Sequence, residues 1–448
     1  MRALERVVIS AGVGFLLLFV GFLAGMAGLP PATLLRQAKE AAEDLWANRY
    51  HYLGIRSKYL HPVERREGGV TIWDRQRAFD GYTFVAAWRE GRYRALLLAM
   101  DGTVVHEWTV PSAELWPDQQ SIFSLLVPFE EEVNFHGAWL TPQGELLLDV
   151  YGLGTVKLDR CSRVEWVLRR NTHHDIDLLD NGELWFPAFR EVTESRPDRP
   201  HLGPGPLGYY LEETLLRVSP SGEILEEISL IDVIYASGRA DLLISGPGAS
   251  VRSRVSDPLH NNNVEILRPE LAPAFPMFEA GDILVSFRNI DTIAVLDGRT
   301  RRIKWTMRGP FIGQHDPDFL PDGHILLYDN RMSGRRPAFG NSRILEIDPA
   351  TRSVVWSWEG EGRFAFYAPS RGEQQQLPNG NILVAYSHGG RVFEIEPRSG
   401  DVVWEWVNLH EPGWAGDLRD AIRFAPDALP FLGKPCPGSD EASAVAGE

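Results

Sequence analysis

The sequence predicts an all-β protein, a six-bladed β-propeller with an N-terminal transmembrane helix. Three observations support this: an uncharged apolar run near the N-terminus, a unit containing Gly and Trp that recurs six times, and almost no helical periodicity within that unit. The chain has 448 residues, of which 44% are hydrophobic and 14 are Trp. This is the composition of a globular protein with the aromatic content of propeller blades.

The first element is the uncharged segment 7–29, VVISAGVGFLLLFVGFLAGMAGL. It is long enough to cross a hydrocarbon core of ~30 Å. Arg2 and Arg6 precede it, so the positive-inside rule puts residues 1–6 in the cytoplasm and the rest of the chain outside, in the periplasm. A cleaved signal peptide is the alternative, although its apolar stretch is usually only ~7–15 residues long. We expect a signal-anchor in a single-pass membrane protein.

Three further segments follow the apolar run. Residues 30–50 have helical composition and predict a juxtamembrane helix. Residues 51–425 carry the repeat, and nothing in them resembles a linker between two domains. Residues 426–448 are rich in Pro, Gly and Ala and predict a flexible tail. Long inserts at 190–212 and 231–256 are expected on the faces of the propeller.

The repeated unit is a turn with Gly, two apolar strands joined by a second turn, and a strand that ends in Trp. Several short strands with turn residues between them are typical of a propeller blade. Because the first copy is indistinct, five or seven blades stay open beside six. Four copies are clear and two are looser: 144–166, 281–305, 323–358 and 380–406, then 81–108 and 182–228.

Charge and cysteine content exclude several classes of function. The net charge is −16, with 61 Asp and Glu against 45 Lys and Arg, so nucleic acid is not an expected partner. An anionic substrate therefore requires Arg and His placed close to it. Cys161 and Cys436 are the two cysteines and form no CxxC pair, which argues against structural zinc. Whether they form one disulfide or remain two thiols is open.

Three histidines occupy the same position in different copies of the repeated unit. In three units a histidine stands eight residues before the turn glycine. The innermost strand of a blade runs along the central channel, so equivalent positions in successive blades converge on the axis. The corresponding position of the last unit is Gly372, which leaves the series incomplete. The three pairs are His136 with Gly144, His174 with Gly182, and His315 with Gly323.

Two more residues are expected in the same funnel. His260, in DPLHNNNVEIL, stands in the same sequence context, and Arg288, in ILVSFRNID, follows an inner strand. A single buried histidine is more often structural than functional. Three histidines at equivalent positions of different repeat units favour a function, because packing alone more readily uses apolar or hydroxyl side chains.

The chain resembles the arylsulfotransferase family over most of residues 80–410. This resemblance implies a membrane-linked or periplasmic propeller that moves a sulfuryl group from an aryl sulfate to a phenol, with no cofactor and no nucleotide sulfate donor. The motifs that carry it are HHDIDLLDNGELW at 173–185, DPLHNNNVEIL at 257–267, SFRN at 286–289 and GQHDPDFLPDGHILLYDN at 313–330.

The resemblance also implies roles for site residues. His315 corresponds to the histidine that takes the sulfuryl group covalently, and His260 and Arg288 to the groups that hold the sulfuryl oxygens. His174 corresponds to the proton-transfer group, with His173 a close competitor. The predicted substrate contacts are His136, His173, Asn262 and Asn330, and no metal ligand is predicted.

These roles agree with side-chain chemistry. A neutral imidazole is a competent nucleophile near pH 7, and a covalent sulfohistidine divides one difficult transfer into two easier steps. Charge on the sulfuryl oxygens requires fixed donors, which Arg288 and a protonated His260 can supply. The leaving phenolate needs an acid and the incoming phenol a base, and one histidine can serve as both.

Three other functions stay open. The first is a non-catalytic, membrane-anchored propeller that binds a ligand or a protein partner on its open face. The second is a metal-dependent enzyme, because imidazoles bind Zn, Cu or Fe and Asp175 and Asp316 lie next to channel histidines in the sequence. The third is a quinone-dependent dehydrogenase, although the Trp repeat here is less regular than such blades require.

Overall fold

The computed structural model describes residues 56–115, 134–199, 202–204, 208–243, 257–332 and 339–436. The predicted cytoplasmic, transmembrane and juxtamembrane segments, 1–6, 7–29 and 30–50, lie outside the described residues. Within the part of the chain that is described, no helix is both long enough and apolar enough to span a membrane. The described residues from Tyr59 onward belong to one compact unit.

Strands dominate the described residues, which confirms the all-β class. In chain order they are β1 (Leu60–Pro62), β2 (Gly69–Trp73), β3 (Tyr82–Arg89), β4 (Arg92–Leu98), β5 (Val104–Trp108), β6 (Phe135–Leu140), β7 (Leu146–Val150), β8 (Gly154–Leu158), β9 (Val164–Leu168), β10 (Asn171–Thr172), β11 (Asp177–Leu178), β12 (Leu184–Val192), β13 (Tyr210–Val218), β14 (Ile224–Ser229), β15 (Asn261–Ile266), β16 (Ile283–Phe287), β17 (Thr292–Leu296), β18 (Ile303–Arg308), β19 (His315–Phe319), β20 (Ile325–Asp329), β21 (Arg343–Asp348), β22 (Ser353–Trp358), β23 (Glu373–Gln376), β24 (Ile382–Tyr386), β25 (Arg391–Ile395), β26 (Val402–Val407), β27 (Leu409–Glu411), β28 (Trp414–Gly416) and β29 (Leu418–Phe424).

Helices among the described residues are short. The α-helices are α1 (Ser112–Leu115) and α2 (Leu230–Ala236), and the single 3₁₀ turns are Ala240–Leu243, Ala272–Ala274, Arg288–Ile290, Gly362–Phe364 and Ser387–Gly389. Helix α2 falls within the expected insert 231–256. It packs Leu230, Ile231 and Ile234 into the apolar core between two sheets, so this part of the insert is structural.

The strands form six antiparallel sheets of four or five strands and one small sheet of three. The six are β29-β3-β4-β5, β6-β7-β8-β9, β10-β12-β13-β14 with β11 also on β12, β15-β16-β17-β18, β19-β20-β21-β22 and β23-β24-β25-β26-β2. Strands β1, β28 and β27 form the small sheet. Contacts between sheets join β29 with β6, β12 with β15, β15 with β19, β19 with β23, and β23 with β29, an arrangement similar to a propeller.

Each predicted copy of the repeat corresponds to three strands of one sheet. The copy at 323–358, for example, forms β20, β21 and β22. Strand β20, ILLYD, is buried along its whole length, whereas β22, SVVWSW, alternates between exposed and covered residues. This gradient is expected where the inner strands are covered by neighbouring sheets and the last strand reaches solvent.

The tryptophans of the repeat connect neighbouring sheets. In five sheets the indole Nε1 of a last-strand Trp donates to a backbone carbonyl in a turn of the next sheet, at 2.9–3.0 Å. Strand β14 carries no Trp, and its Glu226 instead pairs with Arg301 of the following sheet at 2.8 Å. The five pairs are Trp108 with Gly144, Trp166 with Pro220, Trp305 with Pro349, Trp358 with Gly400, and Trp404 with Met100.

The two ends of the described chain meet in shared sheets. Strand β29 pairs with β3 in a register that joins Phe424 to Tyr82, and β2 pairs with β26. A disulfide joins Cys161 to Cys436, with the Cα atoms 5.7 Å apart. The segment 426–436 therefore differs from the expected flexible tail, because Leu429 and Phe431 are buried in an apolar cluster. Residues 437–448 lie outside the described residues.

Candidate active site

The backbone at the start of several inner strands is in a conformation that non-glycine residues rarely adopt. His174, His260, Asp316 and Arg371 all have a left-handed φ, between 49° and 64°. Bulges interrupt the pairing of β6, β15 and β19 at the same level. Bulges redirect side chains, and backbone strain of this kind clusters at functional sites.

Five histidine rings come together at this level. The ring centroid of His174 lies 4.0 Å from that of His136, 4.9 Å from His173, 5.0 Å from His260 and 6.0 Å from His315. These residues start from four different sheets; the phase of the sequence repeat predicted the convergence of His136, His174 and His315, and the sequence context predicted that of His260. His174 stands at the centre of this histidine cluster.

A cavity of about 360 Å³ opens beside the cluster. His136, His174, His315 and Asn262 line it, whereas His173, His260, Arg288 and Asn330 are not among its lining residues. Two arginines, Arg371 and Arg419, also line it, as do six carboxyl groups: Asp175, Glu265, Asp316, Asp318, Glu373 and Asp420.

His315 is held in one tautomer. Its Nδ1 lies 2.7 Å from Asn330 Oδ1 and 3.1 Å from the carbonyl of Gly313; both are acceptors, so Nδ1 carries the proton. The remaining nitrogen, Nε2, accepts the backbone N–H of Arg371 at 3.2 Å. Burial, together with the charge of Arg288, lowers the pKa of His315 to about 3. The imidazole is therefore neutral at physiological pH, with its lone pair on Nε2.

The two predicted asparagines have different surroundings. The amide of Asn330 is fully engaged, because Nδ2 donates to the carbonyls of Ala368 and Arg371 while Oδ1 accepts from His315. It orients the imidazole and does not reach the cavity. Asn262 does line the cavity; its Nδ2 donates to the Gln314 carbonyl at 2.8 Å, while its buried Oδ1 accepts no hydrogen bond from the described residues.

His260 pairs with a carboxylate. Its Nδ1 lies 2.5 Å from Asp257 Oδ2. Burial and the charge of Arg288 lower the pKa of His260, against the opposing effect of Asp257. With its pKa lowered and its Nδ1 facing Asp257, His260 is a neutral imidazole that carries its proton on Nδ1, which differs from the protonated donor expected from the sequence.

His173 and His174 form a chain that ends on a buried acid. Their Nδ1 atoms are 2.7 Å apart, and His173 Nε2 lies 3.1 Å from Glu213 Oε2. The backbone N–H of His174 donates to His136 Nδ1 at 3.1 Å. Burial lowers the pKa of His173 to about 4 and that of His174 well below its usual value, and it raises the pKa of Glu213.

Arg288 lies at the edge of the cluster. Its backbone N–H donates to the carbonyl of His260 at 3.2 Å, and its Nε and Nη2 lie 3.1 and 3.0 Å from the side-chain oxygen of Asn289. Its charge contributes to lowering the pKa values of His173, His260 and His315. It therefore acts on the site electrostatically, without lining the cavity.

Most cavity carboxyls bond to the neighbouring sheet. Asp420 accepts the N–H of Ala138, Asp175 that of Val264, Glu265 that of Phe319, and Asp316 that of Gln374. Burial raises the pKa of all four, that of Asp316 to about 7. They form a belt that joins the inner strands, and raised pKa values reduce the negative charge they carry.

Sequence reasoning missed Arg371 and Arg419. Arg371 immediately precedes Gly372, the residue that the repeat phase placed on the axis, so a search one position earlier would have found it. Arg419 lies on β29, which carries no copy of the repeat. A possible metal-ligand set, Glu213, Asp257 and His260, was also missed; their ligand atoms lie within 4.8 Å of one another.

Comparisons with known proteins found one family model and several solved structures similar to this chain. The family model described as Arylsulfotransferase (ASST) matches residues 140–409. Among curated proteins, none matches the chain. Similar solved structures include a protein of unknown function from Bacteroides caccae, 14% identical with a TM-score of 0.46, covering 76% of this chain and 98% of its own. The WD40 β-propeller domain of Doa1 is 11% identical with a TM-score of 0.40, covering 82% and 97%. Virginiamycin B lyase from Staphylococcus aureus is 11% identical with a TM-score of 0.34, covering 63% and 73%.

Proposed function

This chain belongs to the arylsulfotransferase family, and from that membership we propose that it transfers a sulfuryl group from an aryl sulfate to a phenol through a sulfohistidine on His315. The observation that carries the proposal is the state of His315. It is a neutral imidazole on the cavity wall, with its proton fixed on Nδ1 by Asn330. This is the state that a nitrogen nucleophile requires.

In the first half-reaction, Nε2 of His315 releases the N–H of Arg371 and uses the freed lone pair to attack the sulfur of the donor. The N–S bond forms while the bond from sulfur to the aryl oxygen breaks, and the electron pair leaves with the phenolate. The phenolate takes a proton from His174, which lines the same cavity. In the second half-reaction His174 removes the proton of the acceptor phenol, whose oxygen attacks sulfur and returns the electron pair of the N–S bond to His315.

The chain from His174 to Glu213 supports this double use of His174. When Glu213 is protonated and donates to His173 Nε2, the Nδ1 proton of His173 lies toward His174, and His174 Nε2 carries a proton that it can give up. When Glu213 is ionised, the tautomers reverse and His174 Nε2 becomes a base. His173 is therefore the relay residue, and His174 the group that meets the substrate.

His260 and Arg288 have electrostatic roles in this proposal. Arg288 supplies a fixed positive charge at the edge of the site. Binding of an anionic sulfuryl group raises the pKa of a nearby imidazole, so donor binding favours the protonated, donating form of His260, with Asp257 as its counter-ion. His136 and Asn262 line the cavity and are positioned to contact the substrate.

The same proposal includes the architecture and location expected from the sequence. We assign the six large sheets as six blades around the cavity, and residues 7–29 as the membrane anchor that keeps the protein outside the cytoplasm. The disulfide between Cys161 and Cys436 supports that location, because disulfides persist in oxidising compartments. Recovery of a mature soluble form beginning between residues 25 and 32 would instead indicate a cleaved signal peptide.

A covalent-labelling experiment tests the function. The full-length protein is incubated with a chromogenic aryl sulfate and no acceptor, and its mass is measured before and after proteolysis. We expect a gain of one sulfuryl group on the peptide that carries His315, turnover on adding a phenol, and neither in His315→Asn. Label on another histidine refutes the assignment, and binding of donor without label or turnover favours a non-catalytic propeller.

Metal dependence is tested with the same assay. The reaction proposed here uses no metal, so treatment with a chelator should leave the transfer rate unchanged. Loss of activity that one divalent metal restores would favour the metal-dependent alternative, with Glu213, Asp257 and His260 as its ligands.

A further inference from the structure

Two arginines of the cavity wall, Arg371 and Arg419, meet on one carboxylate. Arg371 Nη1 lies 2.8 Å from Asp417 Oδ2, and Arg419 Nε lies 3.1 Å from the same oxygen. Burial opposes ionisation of Asp417, but Arg371 and Arg419 outweigh it and hold the pKa of that carboxyl well below its usual range. The carboxylate of Asp417 thus pairs with two guanidiniums. The three side chains together carry one net positive charge.

Arg419 uses only part of its hydrogen-bonding capacity within the described residues. Its side chain is 1% exposed, and its Nε donates to the hydroxyl of Tyr93 at 2.7 Å. Both terminal nitrogens, Nη1 and Nη2, are buried and make no hydrogen bond with the described residues. Buried guanidinium donors without acceptors are costly, so their presence at a cavity points to a ligand that supplies the acceptors.

Arg371 links this pair to the nucleophile. Its backbone N–H contacts His315 Nε2 at 3.2 Å while its guanidinium contacts Asp417. Its left-handed φ of 64° and the positive φ of Gly372, which has Tyr328 packed against it, hold this turn in place. Both arginines and His315 line the same cavity, so a group bound between the two guanidiniums shares that cavity with the reactive nitrogen.

We propose that Arg371 and Arg419 form an anion clamp that binds the sulfate group of a monoanionic aryl sulfate against His315. This inference rests on the proposed function and adds its donor-binding residues. Planar guanidiniums bind the oxygens of sulfate or phosphate with paired, charge-assisted hydrogen bonds.

The charges around the clamp select between these two anions. Sulfate monoesters are monoanions, whereas phosphate monoesters carry nearly two charges near pH 7. One uncompensated positive charge matches a monoanion.

Binding can be measured without turnover in His315→Asn. In the full-length His315→Asn protein, calorimetric titration with phenyl sulfate should give a dissociation constant that rises about tenfold or more when Arg371→Gln or Arg419→Gln is added. The matched control is Arg423→Gln. Arg423 is a buried arginine on the same strand that pairs with Glu394 and does not line the cavity, so affinity should stay within about twofold.

Folding and function are separated in the same series. Circular dichroism checks each variant, and Arg419→Lys replaces Arg419→Gln if the latter does not fold; the lysine should still weaken binding, because it cannot present the paired donors. Folded Arg371 and Arg419 variants that bind phenyl sulfate as tightly as their parent overturn the clamp, and so does phenyl phosphate binding more tightly than phenyl sulfate. Clamp-dependent phenyl sulfate binding without any sulfuryl transfer by the wild type upholds the clamp and refutes the proposed transferase function.

Discussion

His315 and Asn330 form the most constrained pair in the site. The side chain of Asn330 forms all its hydrogen bonds within the protein. Its Nδ2 donates to two backbone carbonyls, and its Oδ1 accepts from His315 Nδ1. Sequence reasoning predicted that both residues matter, but assigned Asn330 to the substrate. The error has a physical cause, since the spacing of a motif indicates which residues approach each other and not which of them reaches the cavity.

Asn330→Ala should lower kcat by about 10- to 100-fold with little change in KM, because the imidazole loses the closer of the two acceptors that hold its Nδ1 proton while the cavity lining is unchanged. Asn262→Ala is the comparison, since Asn262 lines the cavity and should affect KM. Steady-state kinetics with an aryl sulfate donor distinguishes the two. A raised KM with unchanged kcat in Asn330→Ala would contradict the orienting role.

The buried histidines also make stability depend on pH. The pKa of His173 is about 4 in the folded protein and near 6.5 when unfolded, so the unfolded chain binds more protons between these values. The stability it contributes is therefore lost as the pH falls from 6.5 to 4. The free-energy difference between wild type and His173→Gln should shift against the wild type by up to about 3 kcal/mol over that range.

His324 provides a control of opposite sign. Burial is the largest single effect and lowers its pKa, but Glu346 and Asp322 together outweigh it and raise the pKa, so its stabilising contribution appears at low pH and is lost as the pH rises. Thermal midpoints of wild type, His173→Gln and His324→Gln, measured from pH 7 to pH 4, should show the two differences moving in opposite directions. Parallel trends would refute the assignment for His173.

At the scale of elements, tryptophan was the most informative residue in the sequence. It marked the last strand of the repeat because its indole reaches across to a turn of the next sheet, a contact that Phe or Leu cannot make. Each predicted repeat unit therefore corresponded to three strands of a sheet. Strands β2 and β29 were not predicted, since neither carries this signature and their partners lie more than 300 residues away in sequence.

Trp305→Phe should lower the free energy of unfolding by about 1–3 kcal/mol, because it removes the donor to the Pro349 carbonyl while keeping an aromatic ring. Trp356→Phe is the matched control, since Trp356 is half-buried on β22 and its indole makes no such bridge within the described residues. Urea denaturation measures both. Equal losses in the two variants would show that ring size, and not the bridge, determines the effect.

At the scale of the whole molecule, three connections close the fold: β29 on β3, β2 on β26, and Cys161 with Cys436. The sequence was sufficient for the all-β class and for the convergence of His136, His174 and His315, because both follow from local periodicity. Closure depends on pairing between distant segments, for which a single sequence holds no local pattern. For the same reason Arg419, which closure brings to the cavity, could not be anticipated.

Replacing both cysteines, Cys161→Ser with Cys436→Ser, should reduce the free energy of unfolding by about 5 kcal/mol in the chain-entropy model. The cross-link spans a sequence separation of 275, so its loss greatly enlarges the unfolded ensemble. Guanidinium denaturation of the variant and of oxidised and reduced wild type provides the measurement. Identical midpoints for all three would show that the packing of Phe431 and Leu429 alone fixes this end of the chain.

Because β29 pairs with β3 and carries Arg419, the last of the described strands completes the cavity that the earlier strands begin. A chain interrupted anywhere before Leu418 lacks both the strand that closes the first sheet and one of the two arginines of the cavity wall. The cavity is thereby tied to the synthesis of β29. Before that strand has emerged from the ribosome, the histidines can be present but the complete cavity cannot form.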